Sequence, residues 1–143
     1  MIINDAGLAI IKHFEGLRTK PYKDAVGLAT VGYGHRLYGD IDWERIYSDA
    51  ECTDFLKDDL RATEKSVARL INVPLNDNQF SALVSFTFNV GSGTLQRSTL
   101  RQVINRGRYD EAPKEINRYR YAGGRILRGL QLRRYAEANL FVL

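Results

Sequence analysis

FEGLRTKPYKDAVGLATVGYGH, residues 14–35, changes character twice within a short span, and those changes set the architecture. Its first residues close a helical pattern. Asn4 suits an N-cap, and Ala6, Ile10 and Phe14, with Ile3 and Ile11 nearby, recur at helical spacing over residues 4–14. Gly16 is the natural terminator, which leaves Glu15 in the last turn, where unpaired carbonyls make the local potential negative. From Tyr22 to Tyr38 glycine, β-branched and aromatic residues take over. Ala29, Val31, Tyr33 and His35 alternate with Leu28, Thr30, Gly32 and Gly34, which predicts short strands joined by a turn near Ala25–Gly27.

Outward from this segment the pattern is helical. Asp49 to Val73 contains neither Gly nor Pro and spaces Phe55, Leu56, Leu60, Val67, Leu70 and Ile71 mostly at helical intervals. A helix of about 20 residues spans about 30 Å, enough to link two lobes. NDNQFSALVSFTFNVG then offers a capping box, Asn76 with Gln79, an apolar run from Phe80 to Val90, and Gly91 as terminator. Three further helices are expected: Ser98 to Asn105; Asp110 to Tyr121, with Pro113 in its first turn and Gly123–Gly124 after it; and Gly129 to Leu140. Strands and helices are segregated along the chain, so the fold class is α+β. The expected division is a β-containing lobe over about 14–60 and a helical lobe over about 61–143 that also takes helix 4–14, within one catalytic domain.

The 143 residues carry a formal net charge of +4 with 44% hydrophobic side chains, within the size of one compact domain. Residues 1–11 are interrupted by Asn4, Asp5 and Gly7, far short of a membrane span, and no basic segment precedes them, so neither signal peptide nor anchor is expected. Cys52 stands alone, without metal-ligand spacing to His13 or His35, and reads as a buried small hydrophobe of a protein made in a reducing compartment. Charge is uneven: Asp40–Glu64 holds nine acids and three bases, Arg101–Leu143 ten bases and four acids. A basic face suits nucleic acid, a membrane surface or an anionic wall polymer. No nucleic-acid-binding motif accompanies it.

Glu15, Asp24 and Thr30 are the polar side chains that the helix end and the strand pair bring together. Two carboxylates suit glycosidic hydrolysis, in which one protonates the leaving oxygen and the other attacks the sugar or activates a water. The helix end, with burial beside Phe14, favours a protonated Glu15, whereas Asp24 beside Lys20 and Lys23 stays ionised. The Thr30 hydroxyl, donor and acceptor, suits holding a water against Asp24. His35 reads as structural, pairing with Asp58 on the long helix, and His13 as a surface or interface residue.

Glu15, eight residues, Asp24, five residues, Thr30 and then VGYGH resembles the N-terminal signature of phage-type lysozymes, the endolysins of glycoside hydrolase family 24. QFSALVSFTFNVG, STLRQVINRGRYDEAPKEI, AGG and GLQLRRYAEANLF are similar, in order, to the helical lobe of the lambdoid-type members. The resemblance implies a lysozyme-like fold with a cleft between the lobes. It implies a muramidase cutting the β-1,4 bond from N-acetylmuramic acid to N-acetylglucosamine in peptidoglycan, without cofactor or metal. Glu15 would be the acid, Asp24 would assist attack and Thr30 would place the water. Arg36, Phe88 and Asn89 would line saccharide sites, and Arg133 or Arg134 would reach Glu15. A monomer held in the host cytoplasm until a holin opens the membrane completes the expectation. Many relatives carry Trp before AGG; here INRYRYAGG leaves that place to Tyr119 or Tyr121. A wall-binding module without turnover and a lytic transglycosylase are the alternatives within the same fold.

Overall fold

The computed structural model describes residues 1–143, in two compact units, Glu15–Arg61 and Met1–Phe14 with Ala62–Leu143. In the Glu15–Arg61 unit, strands β1 (Arg18–Lys23), β2 (Ala29–Gly32) and β3 (His35–Arg36) form an antiparallel sheet in that order. Tyr22 pairs with Thr30, Thr30 with Arg36 and Val31 with His35. The β1 register slips between Arg18 and Tyr22, around Pro21, which has no N–H to give a ladder. Val31, Tyr33 and Tyr47 are buried with Cys52, Leu56 and Leu60 from the first half of helix α2 (Asp49–Leu70). Ser48 opens α2 with a capping box: its Oγ accepts from Glu51 N at 3.0 Å, and Glu51 Oε1 accepts from Ser48 N at 3.2 Å.

The other unit is helical. It holds α1 (Asp5–Glu15, except its last residue), the end of α2, α3 (Asp77–Val90), α4 (Ser92–Arg97), α5 (Thr99–Asn105), a 3-10 turn (Tyr109–Glu111), α6 (Ala112–Asn117), the strands β4 (Tyr121–Ala122) and β5 (Arg125–Ile126), and α7 (Arg128–Val142). Residues Phe80 through Thr87 of α3 are all buried. A helix buried all round belongs at the centre of a bundle, and α3 packs on α4 and α7. Its Asn76–Gln79 capping box is complete on both sides. Asn4 caps α1, its Oδ1 accepting from Gly7 N at 3.0 Å. Gly7 itself is required by packing: a Cβ there would stand 2.7 Å from Ile3 Cγ1 and 2.8 Å from Ser81 Cβ.

Three expectations need correction. β1 begins at Arg18, before the glycine-rich run that marks β2 and β3. Gly91 ends α3 but also serves as N-cap for the unforeseen α4. The helix expected to reach Tyr121 stops at Asn117. Gly123 and Gly124 do not terminate it; they turn the β4–β5 hairpin with φ of 57° and 78°. Two consecutive positive φ values are what a type I′ hairpin loop demands, and Gly–Gly meets them without strain.

Candidate active site

Asp24 sits at the end of β1, where the chain turns into β2. Its backbone N–H donates to Leu28 O at 2.9 Å and its carbonyl accepts from Gly27 N at 3.0 Å. Its carboxylate turns back on the same loop, Oδ1 accepting from Val26 N at 3.0 Å and Leu28 N at 2.8 Å. Aspartate is suited to this because its short side chain bonds backbone two residues on. Both local donors go to Oδ1, which leaves Oδ2 for a ligand.

Thr30 is buried on β2, and its Oγ1 donates to Leu28 O at 2.9 Å. Leu28 therefore joins the two candidates: its N–H holds the Asp24 carboxylate, and its carbonyl accepts from both Asp24 N and Thr30 Oγ1. With its one proton committed to Leu28 O, the Thr30 hydroxyl can only accept from a further group.

Glu15 ends α1 and lies beside the β2–β3 turn, where a Cβ on Gly34 would stand 4.0 Å from Glu15 Oε2. Gly34 holds φ of 85°, a left-handed conformation that glycine adopts without strain. Contrary to the burial expected beside Phe14, Glu15 is exposed; Phe14 turns its ring to His13, with centroids 4.8 Å apart. Arg36, opposite Thr30 on the sheet, is exposed with its guanidinium 5.0 Å from the Tyr38 ring centre.

The histidine pairing is also corrected. His35 Nδ1 contacts Asp59, not Asp58, at 2.9 and 3.1 Å to the two oxygens, and its ring stacks on Phe55 at 4.2 Å. Phe55 and Asp59 are four residues apart on one face of α2, and Asp58 is exposed on another.

In the helical unit Asn89 is exposed at the end of α3 and lines a groove of about 260 Å³ with Val90, Tyr119, Tyr121, Leu130 and Arg134. Phe88 is half-buried. Tyr119 meets Phe86 edge-on at 5.1 Å, whereas Tyr121 is 52% exposed, and both line this groove.

Arg133 and Arg134 belong to a buried ionic cluster that sequence reading missed. Glu137 Oε2 accepts from Ser85 Oγ at 2.6 Å and from Arg133 Nε at 3.1 Å, and Glu137 Oε1 lies 2.7 Å from Arg134 Nε. Arg133 Nη2 also donates to Ser85 O at 3.0 Å. Arg133, Arg134 and Glu137 are 3%, 0% and 0% exposed. Burial pushes the Arg134 pKa down, and the Glu137 carboxylate opposes that. The i,i+3 and i,i+4 spacing of these three residues was the available signal.

Residues 12–137 match the family described as phage lysozyme. The chain belongs to the phage lysozyme family. It is 41% identical over 145 aligned positions to the endolysin of Bacillus phage B103, covering 99% of this chain and 54% of that protein. It is 40% identical to the SAR-endolysin of bacteriophage PS119, over 88% of this chain and 75% of the relative. The chain thus spans about half the length of the Bacillus phage endolysin it matches. A crystal structure of a P22 lysozyme variant superposes with a TM-score of 0.91 at 32% identity, covering 100% of this chain and 99% of the other. The mixed helical and antiparallel architecture is therefore the fold of the phage lysozymes.

Proposed function

We propose that this phage lysozyme is an endolysin muramidase that hydrolyses the β-1,4 bond between N-acetylmuramic acid and N-acetylglucosamine of peptidoglycan. The observation that carries the reading is the arrangement of Asp24 and Thr30 around Leu28. Asp24 Oδ2 and Thr30 Oγ1 are two acceptors, and a water donating one proton to each has its lone pairs free to attack. As the water oxygen bonds to the anomeric carbon, one water proton passes to Asp24 and the carbon–oxygen bond to N-acetylglucosamine breaks. Glu15 protonates that leaving oxygen. Arg36, Phe88 and Asn89 contact the saccharide. The protein acts as a monomer from the host cytoplasm and reaches the wall through a holin-opened membrane.

The test is release of reducing ends from purified peptidoglycan. Glu15→Gln should fold normally and lose at least about 100-fold in turnover, the low end of a general-acid contribution; wild-type clearing by that variant sinks the assignment. Thr30→Ser, which keeps the acceptor, should retain far more activity than Thr30→Val. Attack by a held water also predicts inversion, so a first product with retained β configuration would refute the water role. A lytic transglycosylase would instead release anhydro-muropeptides, separable by mass.

A further inference from the structure

Tyr22 adjoins both groups of the proposed water site, and the chemistry above gives it no part. It stands directly opposite Thr30 across β1 and β2, so the two side chains share a face of the sheet with Cβ atoms about 5 Å apart. It also lies two residues before Asp24, which puts both side chains on the same side of the chain. Thr30 is 5% exposed, and the half-buried Tyr22 ring covers its β1 side. The ring is held in turn by Arg18, whose guanidinium lies 4.0 Å from the ring centre, within cation–π range. A regular strand would hold residues four apart at a distance of about 13 Å. Here four residues of β1, from Arg18 to Tyr22, face only two of β2, from Gly32 to Thr30, so β1 bulges and the two side chains draw together. Arg18 is exposed and has no carboxylate partner, which leaves the ring as its contact.

We infer that Tyr22, braced by Arg18, is the side wall of the site for the attacking water and limits the nucleophile to the size of water. This rests on the muramidase reading, whose water site it completes; Arg18 is a positioning residue that acts through the ring. The bond changes alone do not exclude an alcohol. A methanol oxygen can bond to the anomeric carbon while its proton passes to Asp24, the bond to the N-acetylglucosamine oxygen breaks and Glu15 protonates that oxygen, giving a methyl glycoside in place of a reducing end. Methanol has one proton where water has two. With that proton on Asp24, its methyl group takes the direction of the second water hydrogen, toward Thr30 Oγ1 and the ring beside it. A wall there rejects the methyl group, and it rejects bulkier sugar hydroxyls for the same reason, so cut strands are not rejoined.

The experiment digests purified peptidoglycan with the whole chain in buffer containing methanol and measures, by mass spectrometry, the ratio of methyl glycosides to reducing ends. The ratio counts products per turnover, so a loss of folded enzyme does not move it. Tyr22→Ala should raise it by about tenfold, the low end of what one methyl group is worth in a closed pocket. Arg18→Gln should raise it about two- to fivefold, the worth of an exposed cation–π contact, with Arg18→Lys recovering part of the change and Tyr22→Phe, which keeps the ring, staying within about twofold of wild type. Wild type itself should form methyl glycosides far below the mole ratio of methanol to water, which tests the inference even if Tyr22→Ala fails to fold. Products in proportion to that mole ratio overturn it. So does a Tyr22→Ala enzyme that hydrolyses with the wild-type ratio, and either result leaves the muramidase reading standing. A wild-type protein that releases no reducing ends in plain buffer removes that reading and this inference with it.

Discussion

Glu137→Gln tests the buried cluster in the core of the helical unit. The substitution keeps volume and an oxygen for Ser85 Oγ, which donates to Glu137 at 2.6 Å, but removes the carboxylate charge that pairs with Arg133 and Arg134, which are 3% and 0% exposed. Breaking a buried pair by removing one partner costs about 3–5 kcal/mol, because the surviving charge stays desolvated. The amide retains some hydrogen bonding, so the low end, about 3 kcal/mol, is expected. Total stabilities run from about 5 to 15 kcal/mol, so the variant should still fold. At a few degrees per kcal/mol for a chain of this size, Tm should fall by about 10 °C. Urea unfolding should show a lower midpoint at unchanged slope, and the loss should vary little with salt, since screening acts mainly on exposed charges. A loss under about 1 kcal/mol in Glu137→Gln would show that water or another group neutralises the arginines, and the cluster would not be the internal ion site described.

Asp59→Asn should lower stability by about 1 kcal/mol through its half-exposed pair with His35, whereas Asp58→Asn should change it by less than about 0.5 kcal/mol; thermal melts that reverse the order would return the pair to Asp58. Gly7→Ala improves helix propensity by about 1 kcal/mol yet forces a methyl to within 2.7 Å of Ile3, so overpacking of about 1–3 kcal/mol should win; a stabilised variant would mean that α1 can shift away from α3. Burial, with Asp49 and Glu51 nearby, raises the Cys52 thiol above its ordinary value. The folded chain then keeps a proton that the unfolded chain loses, so this contribution is whole below the ordinary thiol value of about 8.5 and is lost as pH rises toward the folded one, at no more than about 1.4 kcal/mol per pH unit. Urea midpoints at pH 8 and 9.5 should converge between wild type and Cys52→Ala; parallel curves would discount the thiol.

Features carried by residues a few positions apart were legible in the sequence: the Asn4 cap, the Asn76–Gln79 box, the long α2 and the turn after Asp24. Features that depend on what a face packs against were not. Asp58 and Asp59 are equivalent in a sequence; only the rotation of α2 against β3 puts Asp59 beside His35 and Asp58 in solvent. Glu15 follows Phe14, and adjacency suggested shared burial, but consecutive helical residues point about 100° apart. Gly123–Gly124 carried a hairpin signal and a helix-stop signal at once, and the flanking residues, too few to show alternation, did not decide between them. Within the candidate site, residue types identified Asp24 and Thr30, but the backbone of Leu28, which aligns them, has no side-chain signature.

The way Asp24, Leu28 and Thr30 are tied together has a kinetic consequence. Every bond in that turn joins residues no more than four apart, and closing a loop of about ten residues takes only about 10–100 ns, far less than assembling long-range structure. The geometry that would hold the attacking water is thus among the first parts of the chain able to form. Pulse-labelled refolding should find the Leu28 amide protected before the β2–β3 pairing is complete, so that the proposed chemistry is laid down early and the rest of the fold assembles around it.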